Sequence, residues 1–176
     1  MFFSSDLHFF HQNILKYCAT RPYSNIEDMN NSIINKINDT VNNEDFYILG
    51  DCSFGTMDQT LDVFNQINSR NMILIVGNHD HKYVKDERFI KRFKQVHYLT
   101  EIKHNKNNYV LCHYPIHSWN KCHYGSVMLH GHTHGTLDNG NLNRIDVGID
   151  CFPDLLHITQ IEEIIKTRTE NRNVLS

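Results

Sequence analysis

Three observations predict an α/β fold. Short apolar runs alternate along the chain with stretches whose apolar residues recur at helical spacing. Five of those runs end in a polar position or cluster built from Asp, Asn and His. The chain has only three prolines and no Pro/Gly/Ser linker or internal repeat, so its 176 residues are expected to form one domain, 1–176, with a substantial core.

The elements follow in order. Met1 to Ser5 is the first strand candidate. Ser24-Asn25-Ile26-Glu27 has the S-x-x-E form of a capping box and precedes Met29, Ile33, Ile34 and Ile37, an apolar stripe at helical spacing. Phe46 to Leu49 reads as the second strand, and Leu61, Val63, Phe64 and Ile67 as the next helix. Met72 to Val76 reads as a strand, and Lys82 to Phe93 as a helix with a charged outer face. Tyr109 to Cys112, Val127 to Leu129 and Ile145 to Val147 complete the strand candidates. Thr159-Gln160-Ile161-Glu162 repeats the capping-box form ahead of Ile164 and Ile165, and the polar Thr169 to Ser176 is expected to fray.

Composition narrows the function classes. Hydrophobic residues make up 40% and charged residues 21%, as in ordinary globular proteins, and the formal net charge is −3 with histidine neutral. That balance argues against a broad basic face for duplex DNA. A small phosphate substrate stays compatible, because bound cations would reverse the local charge. No stretch approaches the roughly 18 consecutive apolar residues of a membrane span. The first residues run straight into a candidate ligand at Asp6, so a removable leader is not expected. Five scattered cysteines without a CxxC pair read as reduced thiols of a cytoplasmic protein. The unusual number is histidine, at 13, several of them beside Asp, Asn or Gly.

The polar clusters carry the chemistry. Asp6 and His8 follow the first strand, Gly50-Asp51 the second, Gly77-Asn78-His79-Asp80 the third, His113 the fourth and Gly131-His132-Thr133-His134 the fifth. The C-terminal strand edge is where layered α/β folds bind ligands. Asp6, His8, Asp51, Asn78, His113, His132 and His134 offer two carboxylates, one amide oxygen and four imidazoles. That is enough for two divalent metals, which hydrolytic sites hold about 3.5–4 Å apart around an anionic bridge. Neutral imidazoles suit zinc, iron, nickel and, less strongly, manganese, so mixed N/O ligands accept several metals; manganese is the one expected, with zinc, iron and nickel as alternatives. Asp6/His8 and His132/His134 are spaced two apart, which in extended backbone aims both side chains the same way.

The ordered set Asp-x-His, Gly-Asp, Gly-Asn-His-Asp, His and Gly-His-Thr-His resembles the calcineurin-like metallophosphoesterase superfamily, from residue 6 to about residue 150. Asp6-Leu7-His8-Phe9-Phe10-His11-Gln12-Asn13-Ile14 and His113-Tyr114-Pro115 with Trp119-Asn120 resemble its compact bacterial and phage branch. The resemblance implies a four-layer α/β/β/α sandwich of two mixed sheets flanked by helices. It also implies an open cleft supplied by the loops around 9–25, 53–58 and 114–124. By the same resemblance, Asp6, His8 and His134 hold a first metal and Asn78, His113 and His132 a second. Asp51 bridges them, together with a water or hydroxide that attacks phosphorus. His79 protonates the leaving group and Asp80 orients His79.

Two further residues are open at this stage. His11 is placed either to contact substrate or to cap the following helix, and Arg21 either to clamp a phosphate or to lie on the surface. His130, on a strand, is expected to be buried and hydrogen-bonded. The reaction expected is hydrolysis of a small phosphate ester, mono- or diester, such as a nucleotide. The alternatives are a nuclease acting on short or single strands and a non-catalytic metal-bearing scaffold for protein partners.

Overall fold

The computed structural model describes residues 1–137 and 143–175, with side chains through Thr169. Two mixed sheets face each other. The first contains β1 (Phe2–Ser4), β2 (Phe46–Ile48), β3 (Met72–Ile75), β4 (Gln95–His97) and, at its other edge, β9 (Leu156–His157), in the order β4-β3-β2-β1-β9. β1 to β4 are mutually parallel and β9 runs antiparallel to β1. The second sheet is ordered β5 (Leu99–His104), β6 (Asn107–Cys112), β7 (Val127–His130), β8 (Arg144–Asp146), with only the β5–β6 pair antiparallel.

Alternation along the strands builds two cores. Phe3, Tyr47, Leu49, Ile73 and Ile75 point one way and meet Tyr109, Leu111, Val127, Leu129 and Ile145 between the sheets. Phe46, Ile48, Met72 and Leu74 point the other way, under helices α2 (Ile26–Thr40) and α3 (Met57–Gln66). α2 presents Met29, Ile33, Ile34 and Ile37 to that core, the stripe read from sequence. On the far face of the second sheet, Val110, Cys112 and Met128 are covered by Trp119, which lies just ahead of a 3-10 turn (Cys122–Tyr124). Short helices α1 (Ile14–Tyr17) and α4 (Glu87–Ile90) and the long α5 (Ile158–Leu175) complete the chain.

All six strand candidates form strands; β4, β5 and β9 are additional. The helix expected over Lys82 to Phe93 is reduced to the single turn of α4, capped by the Asp86 carboxylate on the Arg88 N–H. Ahead of it the chain makes turns that bury Tyr83, whose hydroxyl donates to the Gly55 carbonyl at 2.6 Å. The cap of α2 is Asn25 rather than Ser24, its side chain accepting from Asp28 N–H. At the last helix it is Gln160 that reaches back, accepting from His157 N–H at 2.8 Å. That helix runs on to Leu175, through most of the segment expected to fray. All five cysteines are free thiols. Among the described residues, no helix is long and apolar enough to cross a membrane.

Candidate metal centre

The parallel strands β1, β2 and β3, with β6 and β7 of the second sheet, bring their C-terminal ends to one edge. There the backbone is stitched before any side chain is considered. Asp6 N–H donates to the Gly50 carbonyl and His8 N–H to the Asp51 carbonyl, both at 3.0 Å. Gly131 N–H donates to the His113 carbonyl at 3.0 Å. Gly131 sits where a side chain would run into Ser5 Oγ and the Asp6 carboxylate. The absence of a Cβ is what lets the last ligand loop close over the first.

The paired ligands do not lie in extended backbone, as their spacing suggested. Asp6 (φ 57°), His8 (φ 53°), Asp51 (φ 54°), His132 (φ 70°) and His134 (φ 47°) are all left-handed. Each pair is aimed inward by two such turns rather than by the strand period. Non-glycine residues in this region are uncommon and concentrate at functional sites.

Three histidines show one pattern: Nδ1 is tied back to the protein and Nε2 is left facing the cleft. His113 Nδ1 lies 2.7 Å from the Leu49 carbonyl, so it carries the proton and donates it. His134 Nδ1 lies 2.6 Å from Asp150 Oδ2 and His8 Nδ1 lies 3.0 Å from His11 Nδ1. The freed Nε2 atoms converge on carboxylates. His8 Nε2 is 3.7 Å from Asp6 Oδ1 and 3.8 Å from Asp51 Oδ2; His134 Nε2 is 4.0 Å from Asp6 Oδ1. His113 Nε2 is 3.4 Å from Asp51 Oδ1 and 3.1 Å from Asn78 Oδ1. His8 Nε2 is buried with no hydrogen-bond partner, an orphan that a cation in the cleft would satisfy.

The expected ligands supply two groups able to hold a metal ion, Asp6/His8/His134 and Asp51/His113/His132, and Cys18/His134/Asp150 forms another that shares His134; the ligand atoms of each lie within 4.8 Å of one another. Asp51 reaches the first two groups, one oxygen toward His8 and the other toward His113. All seven residues expected as ligands are therefore gathered at one edge. Burial lowers the His8 pKa and also that of His132, where the charge of His113 adds to it, favouring the neutral imidazole that ligation requires. Burial pushes the Asp6 carboxyl upward, but the surrounding His8, His113 and His134 hold it below the usual range.

His79 stands at the mouth with its side chain 42% exposed, its N–H donating to Asp51 Oδ1 at 3.0 Å. The Phe54 ring packs 4.3 Å from it between centroids. Asp80 does not orient it. The Asp80 carboxylate is fully buried and accepts N–H bonds from Asp51 and Cys52 at 2.9 Å and from Gly77 at 2.8 Å. It clamps the loops that carry Asp51 and Asn78.

His11 neither caps a helix nor stands free. Its Nδ1 lies 3.0 Å from His8 Nδ1, and its ring stacks on Phe54 at 3.8 Å and 9°. Burial, with the charges of His8 and His79, lowers its pKa to about 4. Arg21 is inside, at 5% exposure, so neither the phosphate clamp nor the surface place expected for it holds. Its five N–H donors are all engaged, by Asp150 Oδ1 (2.7 Å) and Oδ2 (2.6 Å), the Asp6 (2.6 Å) and Leu7 (3.1 Å) carbonyls and Met29 Sδ (3.6 Å). His130 is buried as expected, its Nδ1 donating to the Gly131 carbonyl at 2.8 Å.

Sequence reasoning missed Asp150, Asp146 and Phe54. Asp146 organises the His132–His134 loop, accepting from Thr133 Oγ1 at 2.7 Å and from Gly135 N–H at 3.0 Å. Asp150 follows the sixth apolar run just as the ligands follow the other five, and that position was its only signal.

No family model matches the chain. It is 33% identical over 133 residues to the uncharacterized protein MJ1445 of Methanocaldococcus jannaschii, a match covering 74% of this chain and 66% of that one. It is 26% identical over 193 residues to the gene 66 protein of Mycobacterium phage D29, covering 94% of this chain and 95% of the phage protein. Among solved structures, the protein of unknown function AQ665 from Aquifex aeolicus has the same fold, with a TM-score of 0.74 at 20% identity over 93% of this chain and 98% of that one.

Proposed function

We propose that this protein is a metal-dependent phosphoesterase of the calcineurin-like type, hydrolysing a phosphate ester of a small molecule such as a nucleotide at two divalent metal positions that share Asp51. One observation carries the reading. Two ligand groups face each other across a single carboxylate, with histidine Nε2 atoms freed toward the cleft and His79 beside them. Asp6, His8 and His134 would hold one ion and Asn78, His113 and His132 the other; this mixed N/O set accepts several divalent metals, of which manganese is the one expected. Two such ions, when bound, supply charge neutralisation for the phosphoryl oxygens and a water acidic enough to ionise near neutral pH.

The protein's own groups do the rest. Asp51 keeps its two oxygens apart, one toward each ligand group, and its Oδ1 also accepts from the His79 backbone. That contact fixes the His79 main chain while its ring stays at the cleft mouth. There the ring can give a proton to the departing alkoxide, and Phe54 limits its rotation. The buried Asp80 holds both flanking loops in place without touching substrate.

Hydrolysis of bis-nitrophenyl phosphate against mono-nitrophenyl phosphate, with manganese added to metal-stripped protein, tests the reading. Metal-dependent turnover of at least one ester is expected, and their ratio separates diesterase from monoesterase. No turnover of either ester with any divalent metal would sink it. Cyclic nucleotides and short oligonucleotides then distinguish a small-molecule esterase from a nuclease.

A further inference from the structure

We infer that Arg21 and Asp150 form a strut that positions the first metal's ligands, an inference that rests on the two-metal reading above. Asp150 lies after β8 and Arg21 after α1, and neither is one of the seven expected ligands. Asp150 Oδ2 accepts the Nδ1 proton of His134 at 2.6 Å, which leaves Nε2 as the donor atom facing Asp6. The same Asp150 is held by the Arg21 fork through Nε and an Nη at 2.7 and 2.6 Å. The remaining Arg21 donors reach the carbonyls of Asp6 and Leu7, the backbone that presents Asp6 and His8. One planar guanidinium therefore reaches all three ligands of the first position: Asp6 through its own carbonyl, His8 through the Leu7 carbonyl just ahead of it, and His134 through Asp150. Among the described residues, Asp51, His113 and His132 make no hydrogen bond or ion pair with Arg21 or Asp150.

Two physical arguments favour positioning over plain stabilisation. Arg21 and Asp150 are 5% and 8% exposed, and so buried an ion pair loses hydration that an apolar pair of similar size would not. Its geometry is also specific to the site. A lysine could meet Asp150 but could not fork onto two carbonyls and a carboxylate at once. Residues that orient metal-bound histidines in this way typically change metal affinity by about 10- to 100-fold when removed.

The test isolates one position at a time by calorimetric titration of manganese into metal-free protein. His132→Ala removes an exposed ligand of the second position and should leave one ion bound, at the first. Adding the double exchange Arg21→Met with Asp150→Leu, which leaves no buried charge unpaired, should weaken that ion about 10- to 100-fold. In the complementary His8→Ala background, which keeps the second position, the same exchange should leave affinity unchanged. A purely structural pair would show no such selectivity. Arg21→Lys is the milder variant should the double exchange not fold, and it too should weaken the first position alone. First-position affinity equal to that of the parent, in either variant, overturns the strut. Failure of the unmodified protein to bind manganese, zinc, iron or nickel would instead remove the two-metal reading, and the strut with it.

Discussion

The fully buried Asp80 carboxylate carries three N–H bonds, from Asp51, Cys52 and Gly77. Asp80→Asn keeps the shape but removes the charge and one acceptor. With its oxygen at the Oδ2 place, asparagine retains the Asp51 and Gly77 bonds in neutral form and turns its amide toward the Cys52 N–H. A charge-assisted bond contributes about 1.5–3 kcal/mol and a neutral one about 0.5–1.5. One bond lost and two weakened cost about 3.5–6 kcal/mol, but burial raises the Asp80 pKa, so removing its charge relieves desolvation and leaves a net loss of about 2–4 kcal/mol. For a chain of this size that lowers the thermal midpoint by on the order of 10 °C. Thermal and urea unfolding of metal-free protein measures it directly. If Asp80→Asn unfolds within about 2 °C of the parent while turnover alone collapses, the loop-clamp assignment is wrong. Asp80 would then act through His79, as its place in the Gly-Asn-His-Asp motif suggests.

Three further outcomes are expected. His79→Ala should retain its metals by elemental analysis yet lose about 10²- to 10⁴-fold in turnover, most for alkyl leaving groups; an alkyl ester cleaved at the parent rate would remove His79 as the acid. Gly131→Ala should cost about 1–3 kcal/mol from the collision with Ser5 and Asp6 and should weaken metal binding at the first position, read by unfolding and calorimetry. His11 should make folding pH-sensitive. Its pKa falls from 6.5 to about 4 in the fold, so between those values the unfolded chain binds the extra proton and stability drops as pH falls. Urea midpoints across that window should fall less steeply for His11→Asn, and identical slopes would show that His11 does not contribute.

What was legible in the sequence was mostly covalently local. Strand cores such as Met72–Ile75, buried on both faces, announce themselves as continuous apolar runs. The ligands were legible because each follows such a run and because Asp, Asn and His are the residue types that metals need. β5 was not legible: Leu99 to His104 alternates half-buried with exposed residues at a sheet edge and carries Glu101 and Lys103. The helix expected at Lys82–Phe93 failed because Tyr83, Phe89 and Phe93 are needed beneath the chain, in a cluster around Phe64. Arg21 looked like a phosphate clamp because a guanidinium suits a phosphate and a carboxylate equally. Only the fold, bringing Asp150 to it across the chain, decides between them. The Leu49 carbonyl that sets the His113 tautomer could not be foreseen, since backbone carbonyls carry no sequence signature.

The left-handed backbone at five of the seven ligands has a practical consequence for anyone improving this protein. Each such position costs an L-residue about 1–2 kcal/mol, and glycine would escape that cost. A selection for heat resistance run without metal would therefore reward glycine first at His132, the exposed one of the five, and drift toward a sturdier, inert fold. Only a screen carried out with the cation present sets ligand binding against that relief. Robustness and chemistry compete here at the same few peptide units.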